Sequence, residues 1–430
     1  MLYEEALAFI HSLDKFGIKP GMERIAALCR AIGDVQESLR FVHVAGTNGK
    51  GSTSTMIANI CTAAGYKTGL FVSPYVLDFR ERIQIDGQMI AKDELAQAVD
   101  ALAPVVSQMQ KRGDSPTEFE LITAAAFRCF ASQKCDVIVL ETGLGGRLDS
   151  TNIIPCPLVN VITSVSLDHM AVLGDTIPQI AAEKCGTIKD GACVVTYPLQ
   201  DPQALEVIRQ TTALHGGQLV IPHTDDIQIL EESIWGTRAL FGKLQVQVPL
   251  LGRHMVYNAS MAVCASQMLR MRGLTVPDEA IRVGIERTHM PARMEIWRKT
   301  PIVLADGGHN EDCANALRDV LLRFLPDRRI VGICGMMADK AFETYLSIVA
   351  PLFDRLIAVQ ADLPRALSAQ ALSRAARSFC PHSSAANSFA EAADSALRYA
   401  GEDGAVVLCG SFYTVGDLKK FLFDESIDIL

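Results

Sequence analysis

Short β-branched runs alternate with amphipathic helical runs along most of the 430-residue chain, a pattern that predicts parallel α/β domains. In the first half the predicted strands are RFVHVAG (40–46), TGLFVS (68–73), CDVIVLE (135–141), PLVNVIT (157–163) and ACVVTY (192–197). Between the first two, Met56, Ile57, Ile60 and Ala64 recur at helical spacing and Gly65 follows as a C-cap, so the pair reads as a βαβ unit. From 200 to 250 the apolar runs shorten (QLVIP, IQIL, LQVQVPL) and the turns close up, which predicts a small antiparallel appendage. A helix around Asn258 to Arg272 follows, and the helical pattern stops in ARMEIWRKTP near 292–301. After Pro301 a second alternating series begins, with strands IVLAD, RIVGICG, LIAVQA and AVVLCGS. The boundary at 298 to 300 divides a larger domain over 1–298 from a smaller α/β domain over 299–430.

Composition narrows the partners. A formal net charge of −9 offers no basic face for a long phosphate track, so nucleic acid is excluded as the main partner while a small anion remains possible. The 12 cysteines are scattered singly through stretches such as AFRCFA and GAVVLCGS, with no C-x-x-C. They read as reduced, mostly buried thiols of a cytoplasmic protein. The opening MLYEEALAFIHSLDKFG lacks the basic region of a secretory signal, and no uncharged apolar stretch reaches the length of a membrane span. No extended apolar helix face or coiled-coil pattern calls for a second chain, so a monomer is expected.

Chemistry first appears in HVAGTNGKGST (43–53), between a strand and a helix. The loop offers backbone N–H groups, a helix N-terminus, Lys50 and the Ser52 hydroxyl to anionic oxygens. Its spacing departs from the usual phosphate loop: only Thr47 and Asn48 separate Gly46 from Gly49-Lys50, and Gly51 intervenes before Ser52. Other strand ends add to it. Ser73 follows GLFV, Glu141 ends CDVIVL, and Asp168-His169 come shortly after LVNVIT. In a parallel sheet these ends share one edge, where ligands bind, and a hydroxyl, a carboxylate and an imidazole there suit a Mg²⁺ site. ETGLGGRLD (141–149) is not a dinucleotide fingerprint, because Leu148 stands where the third glycine is needed.

In chain order, GIKPGMERI (17–25), HVAGTNGKGS, SPYVLDFRERI (73–83), ETGLGGRLDSTN (141–152), SLDHMAVLGDTIPQIAAEKCGTIK (166–189), GRHMVYNA (252–259), ARMEI (292–296), ADGGHN (305–310) and GSFYTVGDL (410–418) resemble the signatures of the folylpolyglutamate synthase/dihydrofolate synthase family of the Mur ligase superfamily. The resemblance runs from about residue 3 to 420. It implies a P-loop-type, mostly parallel ATPase domain followed by a Rossmann-like domain. The implied activity joins L-glutamate to the carboxylate of dihydropteroate or a folate at the expense of ATP. Because oxide is a poor leaving group, the γ-phosphoryl passes first to the carboxylate, and the acyl phosphate is then attacked by the amine.

Carried over by position, Thr47, Asn48, Gly49, Lys50, Gly51 and Ser52 hold the ATP phosphates, with Asn258, Arg293 and Asp306 as further ATP contacts. Ser73, Glu141 and His169 match Mg²⁺ ligands, and Lys184 matches a lysine that the family carbamylates to hold a second Mg²⁺. By helical position alone Lys184 reads as an exposed surface lysine, Arg293 as a linker salt bridge and Asp306 as a strand-end turn. His309 and Ser411 match positions near the incoming glutamate, and Lys50, Lys184 and His309 are the residues expected to act in catalysis. For the pterin or folate, Glu23, Arg24, Phe119, Glu120, Arg147 and Asp149 correspond to the substrate region, an aromatic to stack and acids to pair with ring N–H groups. Phe119 as core and Glu23 as a helix-surface acid remain the bland alternatives.

Two departures stand out: Tyr75 where the family commonly has His, and ADGGHN followed by Glu311 where DGAHNP is usual. Neither removes a metal ligand, so activity is expected, and their effect on substrate preference stays open. A peptidoglycan Mur ligase would carry a UDP-binding domain ahead of the loop, whereas 45 residues precede Gly46. A nonenzymatic nucleotide-binding protein would not need matches at Asp306, His309 and Ser411. Whether the acceptor is dihydropteroate, a folate polyglutamate or both stays open.

Overall fold

The computed structural model describes residues 1–13 and 21–422. Positions 17–20 of the GIKPGMERI motif thus lie outside the described residues. The larger domain is built on an eight-stranded sheet. Its six parallel strands run in the spatial order Thr68–Phe71, Val137–Glu141, Phe41–Ala45, Val159–Ile162, Cys193–Thr196 and Gln218–Val220, with a hairpin of Ile83–Ile85 and Gln88–Met89 antiparallel on the first edge. The five strands expected from the first half are all present within a few residues of their expected ends. They are buried on both faces, which is why they read as continuous apolar runs. In Phe41–Ala45, Val42 and Val44 pack with helices Lys50–Ala63 and Arg253–Met271, while Phe41 packs on the opposite face with helix Glu118–Ser132.

Strand Phe41–Ala45 is the topological switch point. The chain leaves it toward Thr68–Phe71 on one side and later fills Val159–Ile162 on the other, which opens a crevice at its carboxyl end. Helix Lys50–Ala63 starts there. Its faces are buried at almost every position, between the sheet, helix Arg253–Met271 and helix Asp278–Glu286, so its amphipathic period is weak.

Two expectations need correction. QLVIP does not belong to the antiparallel appendage: Gln218–Val220 adds to the large sheet in parallel beside Cys193–Thr196. The appendage consists of Ile227–Ser233, Gly236–Phe241 and Leu244–Val248, its middle strand unmarked by any strong apolar run, and it covers the large core through Ala239, Phe241, Val246 and Val248. The second sheet also begins earlier than 298. Glu295–Lys299 pairs antiparallel with Ile302–Asp306, because the Thr300-Pro301 turn closes a hairpin that buries Trp297. That sheet has six strands, continuing in parallel through Ala405–Cys409, Ile330–Cys334, Arg355–Ala358 and Ser383–Ala385. Helices Glu311–Phe324, Phe342–Val349 and Ala369–Ala376 cover one face, and Phe389–Ala400 and Phe412–Leu422 the other.

Candidate active site

The loop at 46–49 is held by its own chain and by the neighbouring strand end. Thr47 donates its N–H to Ser164 O at 2.7 Å, and its hydroxyl accepts from the Ser166 N–H at 3.2 Å. Gly49 sits at φ +83°, and a Cβ there would lie 2.7 Å from the Asn258 side chain, so glycine is needed twice over. Asn258 in turn donates to Ser52 Oγ at 3.0 Å, while Ser52 donates to Gly49 O at 3.1 Å. The Ser52 hydroxyl is therefore engaged within the loop, as the extra glycine would suggest. Lys50 Nζ reaches back to Thr47 O at 3.2 Å.

Beside the loop, Ser73 donates its N–H to Glu141 Oε2 at 2.9 Å. Glu141 is 3% exposed, and burial pushes its carboxyl up from the ordinary range against the opposing pull of Lys50. No Lys or Arg among the described residues pairs with it within ion-pair distance, so this is a buried acid suited to an added cation. His169 stands at φ +50° at the start of a short helix, its imidazole 3.9 Å from Asp168 Oδ1. Among the described residues no three His, Cys, Asp or Glu cluster as a self-contained metal site. Ser73, Glu141 and His169 line the same cavity, and a hydroxyl, a carboxylate and an imidazole are donors that Mg²⁺ can take.

Lys184 corrects the helical-position reading. It is 3% exposed, and its Nζ donates to Gly46 O at 2.8 Å. The cause is tertiary: helix Ile177–Cys185 is covered by the 143–147 loop, with the Arg147 N–H donated to Glu183 O at 2.8 Å. Burial, then the charge of Lys50, lowers the Lys184 amine to about 7.

The second domain faces this edge. Asp306 is buried, accepting from Met294 N–H at 3.3 Å and Gly308 N–H at 3.2 Å, and burial pushes its carboxyl up to about 6. Its oxygens hold the turn that carries Arg293. Burial, then Lys340, lowers the His309 imidazole to about 4. Ser411 is buried immediately ahead of helix Phe412–Leu422. Asn310 Nδ2 donates to Asn48 Oδ1 at 3.0 Å and Asn48 Nδ2 to Asp312 Oδ2 at 3.0 Å, so the domains meet at the loop itself.

A single cavity of about 1350 Å³ brings together the loop, Ser73, Glu141, His169, Lys184, Asn258, Arg293, Asp306, His309 and Ser411. Phe119, Glu120, Arg147 and Asp149 also line it. Phe119 packs on Phe71 at 5.8 Å and leaves an edge in the cavity. Asp149 is spent on its own loop, accepting from Gly143 and Leu144 N–H at 2.9 and 2.8 Å and from Thr151. Glu120 accepts from Arg24 Nε at 3.1 Å and from Thr117 N–H at 2.7 Å. Glu23 and Arg24 do not line the cavity: Glu23 is exposed on helix Glu23–Ala31, and Arg24 lies against Glu120 and Asp114. Lys340 is a residue that motif reading missed. It pairs with Asp168 at 3.1 Å across the domain junction, and its place shortly after strand Ile330–Cys334 is the signal that marked the other strand ends.

Residues 44–266 match the Mur ligase middle domain and residues 292–412 the Mur ligase glutamate ligase domain. The chain is 34% identical over 433 residues to the dihydrofolate synthase/folylpolyglutamate synthase of Bacillus subtilis (strain 168), covering 98% of this chain and 99% of that protein. It is 33% identical over 435 residues to the folylpolyglutamate synthase of Lacticaseibacillus casei, covering 98% and 99%. Among solved structures, it is similar to the Mycobacterium tuberculosis folylpolyglutamate synthase complexed with ADP, with a TM-score of 0.88, 28% identity and coverage of 100% and 99%.

Proposed function

The chain belongs to the folylpolyglutamate synthase/dihydrofolate synthase family of the Mur ligase superfamily, and from that premise we propose how its residues carry out the ATP-dependent joining of L-glutamate to a pteroate or folate carboxylate. One observation carries the assignment. Lys50 and Glu141 at the sheet edge, with Lys184 of helix Ile177–Cys185 beside the loop, share one cavity with Arg293, Asp306, His309 and Ser411.

In the first step an oxygen of the acceptor carboxylate attacks the γ-phosphorus, and the bond to the bridging oxygen breaks to release ADP. The loop N–H groups from Asn48 to Ser52, Lys50 and Arg293 bind and neutralise the phosphate oxygens, so catalysis here is positioning and charge compensation. Ser73, Glu141 and His169 would hold Mg²⁺, which supplies further neutralisation of those oxygens. Carbamylation of Lys184, a C–N bond from its amine to CO₂ with loss of one proton, would add an anionic oxygen donor for a second ion. That assignment is supported by burial beside the loop and a lowered amine pKa.

In the second step the neutral amine of glutamate attacks the acyl carbon, phosphate departs with its oxygen, and the nitrogen passes one proton to that phosphate as the amide forms. His309, held neutral by burial, suits a hydrogen bond to the amine, and Ser411 at a helix start suits a glutamate carboxylate. Phe119 and Arg147 serve the acceptor, with Glu120 and Asp149 shaping its walls; Glu23 and Arg24 are left out because neither lines the cavity. The larger domain thus takes nucleotide and acceptor, the smaller one glutamate, and closure excludes water from the acyl phosphate. The same reading has the enzyme acting as a monomer in the cytoplasm, and none of the described helices is long and apolar enough to cross a membrane.

Steady-state assays test the assignment, with dihydropteroate and a reduced folate offered separately as acceptors. ADP release is expected only when both glutamate and an acceptor are present. Release independent of either one would sink the reading.

A further inference from the structure

Arg293 is held in an unusual way. It lies between Ala292 at φ +54° and Met294 at φ +49°, two left-handed residues without glycine's freedom. Their backbone is pinned on both sides: Ala292 donates its N–H to Glu295 Oε2 at 2.8 Å, Met294 donates to Asp306 Oδ1 at 3.3 Å, and Gly307 donates to Ala292 O at 2.8 Å. The side chain then lies over the Phe412 ring, with its guanidinium carbon 3.9 Å from the ring centroid. Among the described residues no carboxylate stands within ion-pair distance of Arg293, and none of them hydrogen-bonds to its side chain.

The ring is itself fixed. Phe412 is 5% exposed, His309 meets it edge-on at 6.4 Å, and a Cβ on Gly307 would stand 2.1 Å from it. Gly307 therefore leaves the space that the ring occupies, which any Cβ there would fill. A carboxylate partner would hold a guanidinium by occupying the N–H groups that a phosphate needs. An aromatic face attracts the cation through its π-cloud and leaves those in-plane donors free.

We propose that Phe412 is a positioning residue: it orients Arg293 toward the phosphates while leaving its donors unspent, and it ties that orientation to the glutamate-domain helix that begins beside Ser411. This rests on the assignment of Arg293 as a phosphate contact. The test is a double-mutant cycle on the full-length enzyme, read as the KM for ATP, kcat and the calorimetric affinity for a nonhydrolysable ATP analogue. Phe412→Leu, which keeps apolar bulk but removes the π-face, is expected to weaken nucleotide binding roughly 3- to 30-fold. Phe412→Tyr should restore it. In an Arg293→Ala background Phe412→Leu should add less than about twofold, because the ring then has nothing to orient. Equal losses in both backgrounds, or no loss from Phe412→Leu while Arg293→Ala weakens binding, would overturn the positioning role alone. An Arg293→Ala enzyme with undiminished nucleotide affinity would instead overturn the underlying assignment.

Discussion

Carbamylation of Lys184 would require its neutral amine, and burial favours that form. At the ordinary lysine value of 10.5, about 0.03% is neutral at pH 7; at about 7, roughly half is, a gain on the order of 10³-fold in the reactive form. The amine lies 2.8 Å from Gly46 O, at the base of the phosphate loop, so a carbamate formed there would place its anionic oxygens beside the nucleotide phosphates. Lys184→Ala removes that donor. Lys184→Arg keeps a cation that cannot be carbamylated, and both are expected to lower kcat by about 10²- to 10³-fold, the usual loss of one group acting on transition-state charge. Enzyme equilibrated with ¹³C-bicarbonate should show a carbamate carbon resonance that both variants lack, and activity should decline in CO₂-depleted buffer and return with bicarbonate. Full activity in depleted buffer without that resonance, or Lys184→Arg retaining more than about a tenth of wild-type kcat, would refute the reasoning.

Phe119→Ala should raise the acceptor KM roughly tenfold while leaving the ATP KM within about twofold, if the part of the cavity that its ring edge lines takes the acceptor as proposed; a matching rise in the ATP KM would place it elsewhere. Glu23→Ala should leave all three substrate KM values within about twofold, as expected of an exposed side chain off the cavity, and a selective acceptor defect would show that reading wrong. His43 is buried with Nε2 2.8 Å from Thr151 Oγ1, and burial, then Lys189, lowers its imidazole to about 3 from 6.5. The unfolded chain therefore takes up the proton first, so stability is fully present above pH 6.5 and lost as pH falls toward 3, about 2 kcal/mol of it by pH 5. Urea unfolding of His43→Gln should show a flatter pH dependence over that window, and parallel curves for the two proteins would remove His43 as the cause.

The strand ends are legible in the sequence because a parallel sheet puts every carboxyl end on one edge, so Gly46, Ser73, Glu141 and His169 need only follow their apolar runs to be brought together. The Gln218–Val220 strand and the start of the second sheet at Glu295 escape for the opposite reason: they are edge strands, and nothing in a short run says which neighbour it will pair with. Lys184 shows the limit at the site. Its helical position says surface, and only the loop at 143–147, folded over the helix, makes it interior. A matched motif likewise names charges without saying which are already satisfied. Asp149 is consumed by its own turn and Arg24 by Glu120, 96 residues along the chain. Arg293, which reads as a linker salt bridge, makes none among the described residues and rests on the Phe412 ring instead. Which matched charges can still meet a ligand is decided by partners distant in the chain, and this is why the edge of the sheet could be found by pattern while the division between binding groups and structural ones could not.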